Sequence, residues 1–269
     1  MTDASANPSL LRTVAATRYV TPLREGGSLP AIVEADDDGM YVVKFRGAGQ
    51  GPKALVAELV AGEIGRLLGL PVPELVFIGI DPRFAKAEPD EEIQALLRAS
   101  AGLNLALDYL PGSLAFAPAV APPPDSALAA AVVWFDAYAT NVDRTPRNPN
   151  LLLWHQRLWL IDHGAALYVH HTWTDWRARS RSAFAHSKEH ILLPFAGSIE
   201  EADRRLRPLL DRESLARIVE SVPEEWLTPP TPFASVAECR GAYLEYLTGR
   251  LDAAPIFVEE AERARTRGL

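Results

Sequence analysis

The chain has 269 residues, 48% hydrophobic and 23% charged, which excludes wholesale disorder and leaves room for one large or two small domains with a sizeable core. A formal charge of −8 argues against broad contact with phosphate backbones, so nucleic acid is not an expected partner, although a local positive pocket for one nucleotide stays open. No apolar run reaches the roughly 18–20 residues of a bilayer crossing, MTDASANPSLLRTV lacks a basic region followed by an apolar core, and the single Cys239 forms neither an internal disulfide nor a zinc cluster; a cytoplasmic protein without membrane contact is expected.

The first segments read as extended. ATRYVTPL and PAIVEA are strand-like, EGGS is a candidate tight turn between them, and DDDG leads through Gly39 into a hairpin return along MYVVKF. From residue 54 to 68 the period changes: Val56, Val60, Ile64, Leu67 and Leu68 share one side of a helix that Gly69 ends, ahead of Pro71 and Pro73. ELVFIGI and LNLALDYL are further apolar runs, separated by the helix-compatible PDEEIQALLRAS. The proline-rich stretch from Pro118 to Pro124 closely follows the connector 108–112, so the domain boundary falls there, giving 1–112 and 113–269.

Asp125 or Ser126 caps a new helix in which Leu128, Val132, Phe135 and Ala139 recur at helical spacing, and Asn141 falls where it ends. LLLW and LWLID are short strands joined by HQR. The remainder is mainly helical: Ser198 and Glu201 have capping-box spacing, Leu215, Ile218 and Val219 form one stripe, and Val236, Cys239, Tyr243 and Leu247 form another. The final EEAERARTRG reads as a solvated terminal helix.

Phosphoryl transfer asks a protein for a cation on the nucleotide phosphates, an acid that orients the attacking hydroxyl, and hard oxygen ligands for magnesium. Candidates for each occur in order. Lys44 lies in the strand-like YVVKF, and the helix that follows carries Glu58 and Glu63, either of which could pair with it. Asp143 opens a D-x-x-x-x-N spacing with Asn148 inside NVDRTPRNPN, and Asp162 ends LWLID ahead of His163 and Gly164, a glycine that lets the chain swing away from the carboxylate. The amide of Asn148 or Asn150 would add a metal ligand, and Arg144 would compensate the charge gathered at the transfer centre.

Lys44 in YVVKF, Glu58 in AELVAGEIGRLLGLPVPE, Asp143 in NVDRTPRNPN and Asp162 in LIDHG resemble, in order and spacing, the protein-kinase-like fold and most closely the HipA-like kinases, over roughly Tyr41 to Leu167. The resemblance implies an α+β, two-lobed fold with a small antiparallel-sheet N-lobe, one prominent helix and a helix-rich C-lobe. It implies ATP with Mg2+ (or Mn2+) as cofactors and a hydroxyl as acceptor, Ser or Thr of a protein ahead of a small molecule. By position it places Lys44 on the α- and β-phosphates, Glu58 as its partner, Asp108, Tyr109 and Leu110 beside the adenine, Asp143 as catalytic acid or base, Asn148 as a magnesium ligand and Asp162 as the main metal carboxylate. This sequence departs from ordinary protein kinases in three ways. Glu25-Gly26-Gly27-Ser28 stands in place of G-x-G-x-x-G, leaving the amides around Gly27 and Ser28 as a phosphate nest; His163 replaces an aromatic residue; and Asn150 competes with Asn148 by leading directly into LLLW.

Other motifs have plainer readings. Glu63 is a salt-bridge residue bordering the apolar stripe, and the His170–His171 pair, adjacent on a strand, would point to opposite faces and share no ion. Trp154, Trp159, Trp173 and Trp176 are packing residues. Arg177, Arg179 and Arg181 alternate with small residues in an exposed loop, whose alternative roles are an acidic-partner site or phosphate acceptance at Ser180 or Ser182. A pseudokinase that binds without turnover and a metal-dependent hydrolase using Asp143, Asp162 and nearby His residues are the rival classes.

Overall fold

The computed structural model describes residues 11–23, 29–49, 51–87, 89–228 and 231–267. The expected EGGS turn, with Gly27 and Ser28, lies outside the described residues. Five strands, β1 (Thr13–Pro22), β2 (Ala31–Ala35), β3 (Met40–Lys44), β4 (Leu75–Ile80) and β5 (Gly102–Asp108), close into a barrel of order β1-β2-β3-β5-β4. Four of the pairings are antiparallel, but β1 and β4 run parallel, with Thr13 opposite Phe77 and Ala15 opposite Gly79. The expectation of a purely antiparallel sheet is corrected here, because strands so distant in sequence carry no turn between them that would announce their pairing.

Alternation along β4 and β5 feeds two cores. Val76, Ile78 and Ala106 join Val14, Val33 and Val43 inside the barrel, while Leu75, Phe77, Leu105 and Leu107 face outward into a larger core with the helices. Helix α1 (Pro52–Leu67) starts with proline in its first turn, and it ends in a Schellman pair: Gly69 N–H donates to Arg66 O and Leu70 N–H to Gly65 O, with Gly69 at φ 73°. Its residues from Leu55 to Gly62 are all buried, as are Ile64 and Gly65, so it is embedded rather than laid on a surface. Leu67, expected on the buried stripe, is exposed.

Helices α2 (Phe84–Ala87) and α3 (Glu91–Ala99) connect β4 to β5. A two-residue strand β6 (Leu114–Ala115), too short to leave a sequence pattern, adds to the hairpin of β7 (Leu151–Trp154) and β8 (Arg157–Leu160). That hairpin turns on His155 and Gln156, both left-handed, as a two-residue loop requires. Before it comes α4 (Ser126–Ala139), capped by Asp125 onto Leu128 N–H, buried from Ala129 to Ala139, and ended by left-handed Thr140.

The helices that follow are α5 (Trp176–Arg179), α6 (Ile199–Leu206), α7 (Arg212–Glu220), α8 (Glu224–Leu227), α9 (Val236–Asp252) and α10 (Ala254–Arg267). Ser198 caps α6 through Glu201 N–H, as its spacing indicates. The solvated reading of EEAERARTRG is corrected in part: within it Ala261 is buried and Glu262 accepts the N–H of Ile199, while Glu259, Arg263 and Thr266 are exposed, and just ahead of it Phe257 and Val258 of α10 are buried. Among the described residues no helix is long and apolar enough to cross a membrane.

The short α8 reaches back to the barrel. Trp226 is 1% exposed and packs edge-on against Phe77 of β4 at 5.7 Å, and Glu225 pairs with Arg46 at 3.2 Å just beyond β3. Truncating such an aromatic leaves a cavity where barrel and helices meet. Trp226→Ala is expected to lower the unfolding free energy by about 3–5 kcal/mol, read as a drop in the urea midpoint.

Candidate active site

Lys44 is the last residue of β3, and its side chain leaves the barrel toward α1. Its Nζ donates to Glu58 Oε2 at 2.6 Å and also to Asp162 Oδ1, across 118 residues of sequence. Glu58 has no exposed surface, whereas the Asp162 side chain is 45% exposed, so the ammonium bridges a buried carboxylate and an open one. Burial by itself would raise the Glu58 carboxyl; the Lys44 charge and the His163 hydrogen bond outweigh it and bring the group down from 4.5 to about 2. Burial likewise works against the Lys44 ammonium, yet Glu58 and then Asp162 lift it to about 12. Of the two candidate partners, Glu58 makes the contact. Glu63 pairs with Arg66 at 3.3 Å instead.

Asp162 itself turns the chain, at φ 55°; Gly164 is not among the left-handed residues, so the expected swing belongs to the aspartate. His163 is buried, with Nδ1 at 3.3 Å from Glu58 Oε1 and its ring edge-on to Phe135.

The loop 141–150 is held from beneath. Asp136 of α4 is fully buried, and it takes Arg144 Nε at 2.5 Å, His190 Nε2 at 2.8 Å and Asn141 Nδ2 at 3.0 Å. Burial would raise its carboxyl, but Arg144 and His190 hold it well below the usual carboxylate range. Asn141 Oδ1 then accepts the N–H of Asp143 at 3.2 Å, which fixes where that half-buried acid begins. Arg144 is 1% exposed, and its remaining donors go to the carbonyls of Asn150 and Ile161. Its expected place as a counter-charge at the transfer centre is corrected: a guanidinium spent on Asp136 and two carbonyls braces the loop and presents no charge to a ligand.

The two asparagines separate in space. Asn148 is exposed at the end of a turn closed by mutual Thr145–Asn148 backbone bonds of 3.1 Å, and its Nδ2 donates to Asp143 Oδ2 at 2.7 Å. Asn150 is nearly buried and left-handed at φ 49°; its carbonyl accepts Ile161 N–H at 3.1 Å, which sets it across from the residue preceding Asp162. Its Nδ2 lies 3.5 Å from Asp143 Oδ2, so Asn150 joins the Asp143 loop to the Asp162 segment.

At the connector, the amides of Asp108 and Tyr109 donate to the carbonyls of Glu74 and Met40 at 2.8 and 3.0 Å, while Leu110 follows them out of the sheet. Among the described residues no group of three or more His, Cys, Asp or Glu side chains could hold a metal by itself. The donor set of Asp162 and an asparagine amide instead suits a hard cation that arrives carrying other oxygen ligands, as Mg2+ does with a nucleotide. A triphosphate also suits the place, since Lys44 is a rigidly held cation beside that carboxylate.

A family model described as HipA-like kinase matches residues 17–244, and the chain belongs to that family. Among solved structures, the Helicobacter pylori proinflammatory kinase CtkA is similar over 96% of this chain and 99% of its own, with a TM-score of 0.52 at 15% identity, a likeness of fold alone. No curated protein matches the sequence.

Sequence reasoning missed Asp136, Asn141 and His190. An aspartate inside the otherwise apolar AAAVVWFDAYA was the available signal, since a buried charge demands partners. His170 and His171 lie in a 3-10 turn rather than a strand, and His170 Nδ1 meets Tyr243 OH at 2.9 Å. Nor is the arginine stretch an open loop. Trp176–Arg179 is helical, Ser180 is buried, and Arg250 of α9 binds the carbonyls of Ser180 and Ser182, so Ser180 is removed as a phosphate acceptor.

The Glu58 shift has a sign. A carboxyl lowered on folding stabilises the protein above its ordinary range, and that contribution is lost as pH falls through the folded value. The stability difference between wild type and Glu58→Gln is therefore expected to narrow as pH falls from 4.5 to about 2, measured by urea unfolding at stepped pH. Asp136, present in both proteins, cancels from the comparison.

Proposed function

We propose that the chain is an ATP- and magnesium-dependent kinase that transfers the γ-phosphoryl group to a hydroxyl, with Ser or Thr of a protein as the acceptor. The observation that carries this reading is the Lys44 ammonium shared between buried Glu58 and open Asp162, with Asn150 linking the Asp162 segment to Asp143. The protein acceptor rests on the family. We read residues 1–112 as the lobe that holds the donor and 113–269 as the lobe that carries the catalytic loop and metal motif.

In this reading Lys44 exchanges the Asp162 oxygen for oxygens of the α- and β-phosphates, while Glu58 keeps the ammonium in place. That exchange leaves Asp162, with the Asn150 amide, to hold Mg2+. Magnesium, when bound with the nucleotide, offsets charge on the phosphate oxygens. Asn150 is preferred to Asn148 because it stands beside Asp162 in the hairpin register, whereas Asn148 steadies the Asp143 carboxylate. Asp143 accepts the hydroxyl proton as the acceptor oxygen bonds to the γ-phosphorus and the bond to the bridging oxygen breaks, releasing ADP. The Asp108–Leu110 connector meets the adenine, and the Leu110 amide is the one there without a protein acceptor among the described residues.

Labelled-ATP turnover with Mg2+ or Mn2+ tests the proposal. Asp143→Ala and Asp162→Ala are each expected to lower transfer by about 100-fold or more with circular dichroism unchanged. A wild-type protein that gains thermal stability from ATP yet labels neither protein nor small-molecule hydroxyls would reject transfer in favour of a binding module. Magnesium titrations separate the asparagines: Asn150→Ala raises the half-saturating Mg2+ by about tenfold or more, and Asn148→Ala changes it less.

A further inference from the structure

His163 stands where its chemistry is not needed for metal or acceptor. Its side chain has no exposed surface, Nδ1 faces Glu58 Oε1 at 3.3 Å, and Nε2 is buried without a hydrogen-bond partner among the described residues. The ionised Glu58 carboxylate only accepts, so the proton of this contact sits on Nδ1. The other Glu58 oxygen takes Lys44 at 2.6 Å. A carboxylate engaged on both oxygens by groups from different elements cannot rotate without losing one of them. Because His163 adjoins Asp162, which also holds Lys44, a closed circuit runs Lys44–Glu58–His163–Asp162–Lys44 through β3, α1 and the segment after β8.

We infer that His163 is a positioning residue for phosphoryl transfer: by donating Nδ1–H to Glu58 it sets the carboxylate rotamer that aims Lys44 at the donor phosphates. The inference rests on the reading of Lys44 as the phosphate-binding cation. It acts through Glu58 and needs no contact between the imidazole and ATP. A ring that merely filled space would be replaced by phenylalanine without effect on the lysine.

The test compares His163→Phe, which keeps an aromatic ring and loses the donor, with His163→Asn, whose Nδ2 can stand near the place of Nδ1. His163→Leu serves as the donorless variant if the phenylalanine fails to fold. Two readouts are taken: steady-state kcat and KM for ATP with Mg2+, and the rate at which Lys44 is acylated without nucleotide, followed by peptide mass spectrometry. The donorless variant is expected to lose about tenfold in kcat with KM changed less than about threefold, and to expose Lys44 to severalfold faster acylation; asparagine restores most of both. Added to Glu58→Gln, the donorless change costs no further kcat, because both act through one contact. Wild-type kcat and acylation in the donorless variant, an asparagine variant as impaired as it, or losses that multiply in the double variant would each overturn the inference. Absence of transfer in the wild type would refute the kinase reading, while Lys44 acylation would still decide whether His163 holds the Glu58–Lys44 pair.

Discussion

A carboxylate with no exposed surface is tolerable only where an opposite charge or strong donors meet it, and Glu58 imposes that condition on the rest of the molecule. Lys44 answers from β3 and His163 from the segment behind β8, so satisfying one buried ion brings three elements together. Asp162 joins from its open side. Apolar side chains of similar volume would often stabilise such a place as well or better, so stability alone does not account for a buried charge there. An ammonium held at one edge of a buried pair and one edge of an open carboxylate is oriented before any ligand arrives.

A second buried ion centre does comparable work below the loop. Asp136 gathers Arg144, His190 and Asn141, and Arg144 reaches past it to the carbonyls of Asn150 and Ile161. The loop bearing Asp143 is therefore tied at its start by Asn141 and at its end by Asn150. Its acid stands between two fixed points even though the intervening turn is exposed.

Much of this was legible from residues alone. The strands through Ile80 and Asp108, a helix over 54–68, a cap at Asp125 or Ser126, the Ser198 cap and the LLLW–LWLID hairpin follow periodicity and capping chemistry, which are local. The order Lys44, Glu58, Asp143, Asp162 was legible too, and the Lys44–Glu58 contact is as expected from it. What escaped was non-local or ambiguous in type. Parallel pairing of β1 with β4 leaves no mark in either strand. Arg144 beside Asp143 looks like a site charge until Asp136, eight residues earlier on α4, claims it, and Asn148 and Asn150 differ only through a register that the hairpin supplies. The terminal helix looked solvated because its charges outnumber the few apolar residues that dock it.

The embedding of α1 reaches further than the site. This helix shares its core with α4 and α9 as well as with the outward face of β4 and β5, while the barrel keeps a separate interior. Swinging it away from Lys44 would strip apolar surface on nearly every side at once, and α8 closes its route with Trp226 seated against Phe77. Control of such a molecule is thereby displaced from helix rotation to events at the open rim beside Asp162 that leave the interior intact.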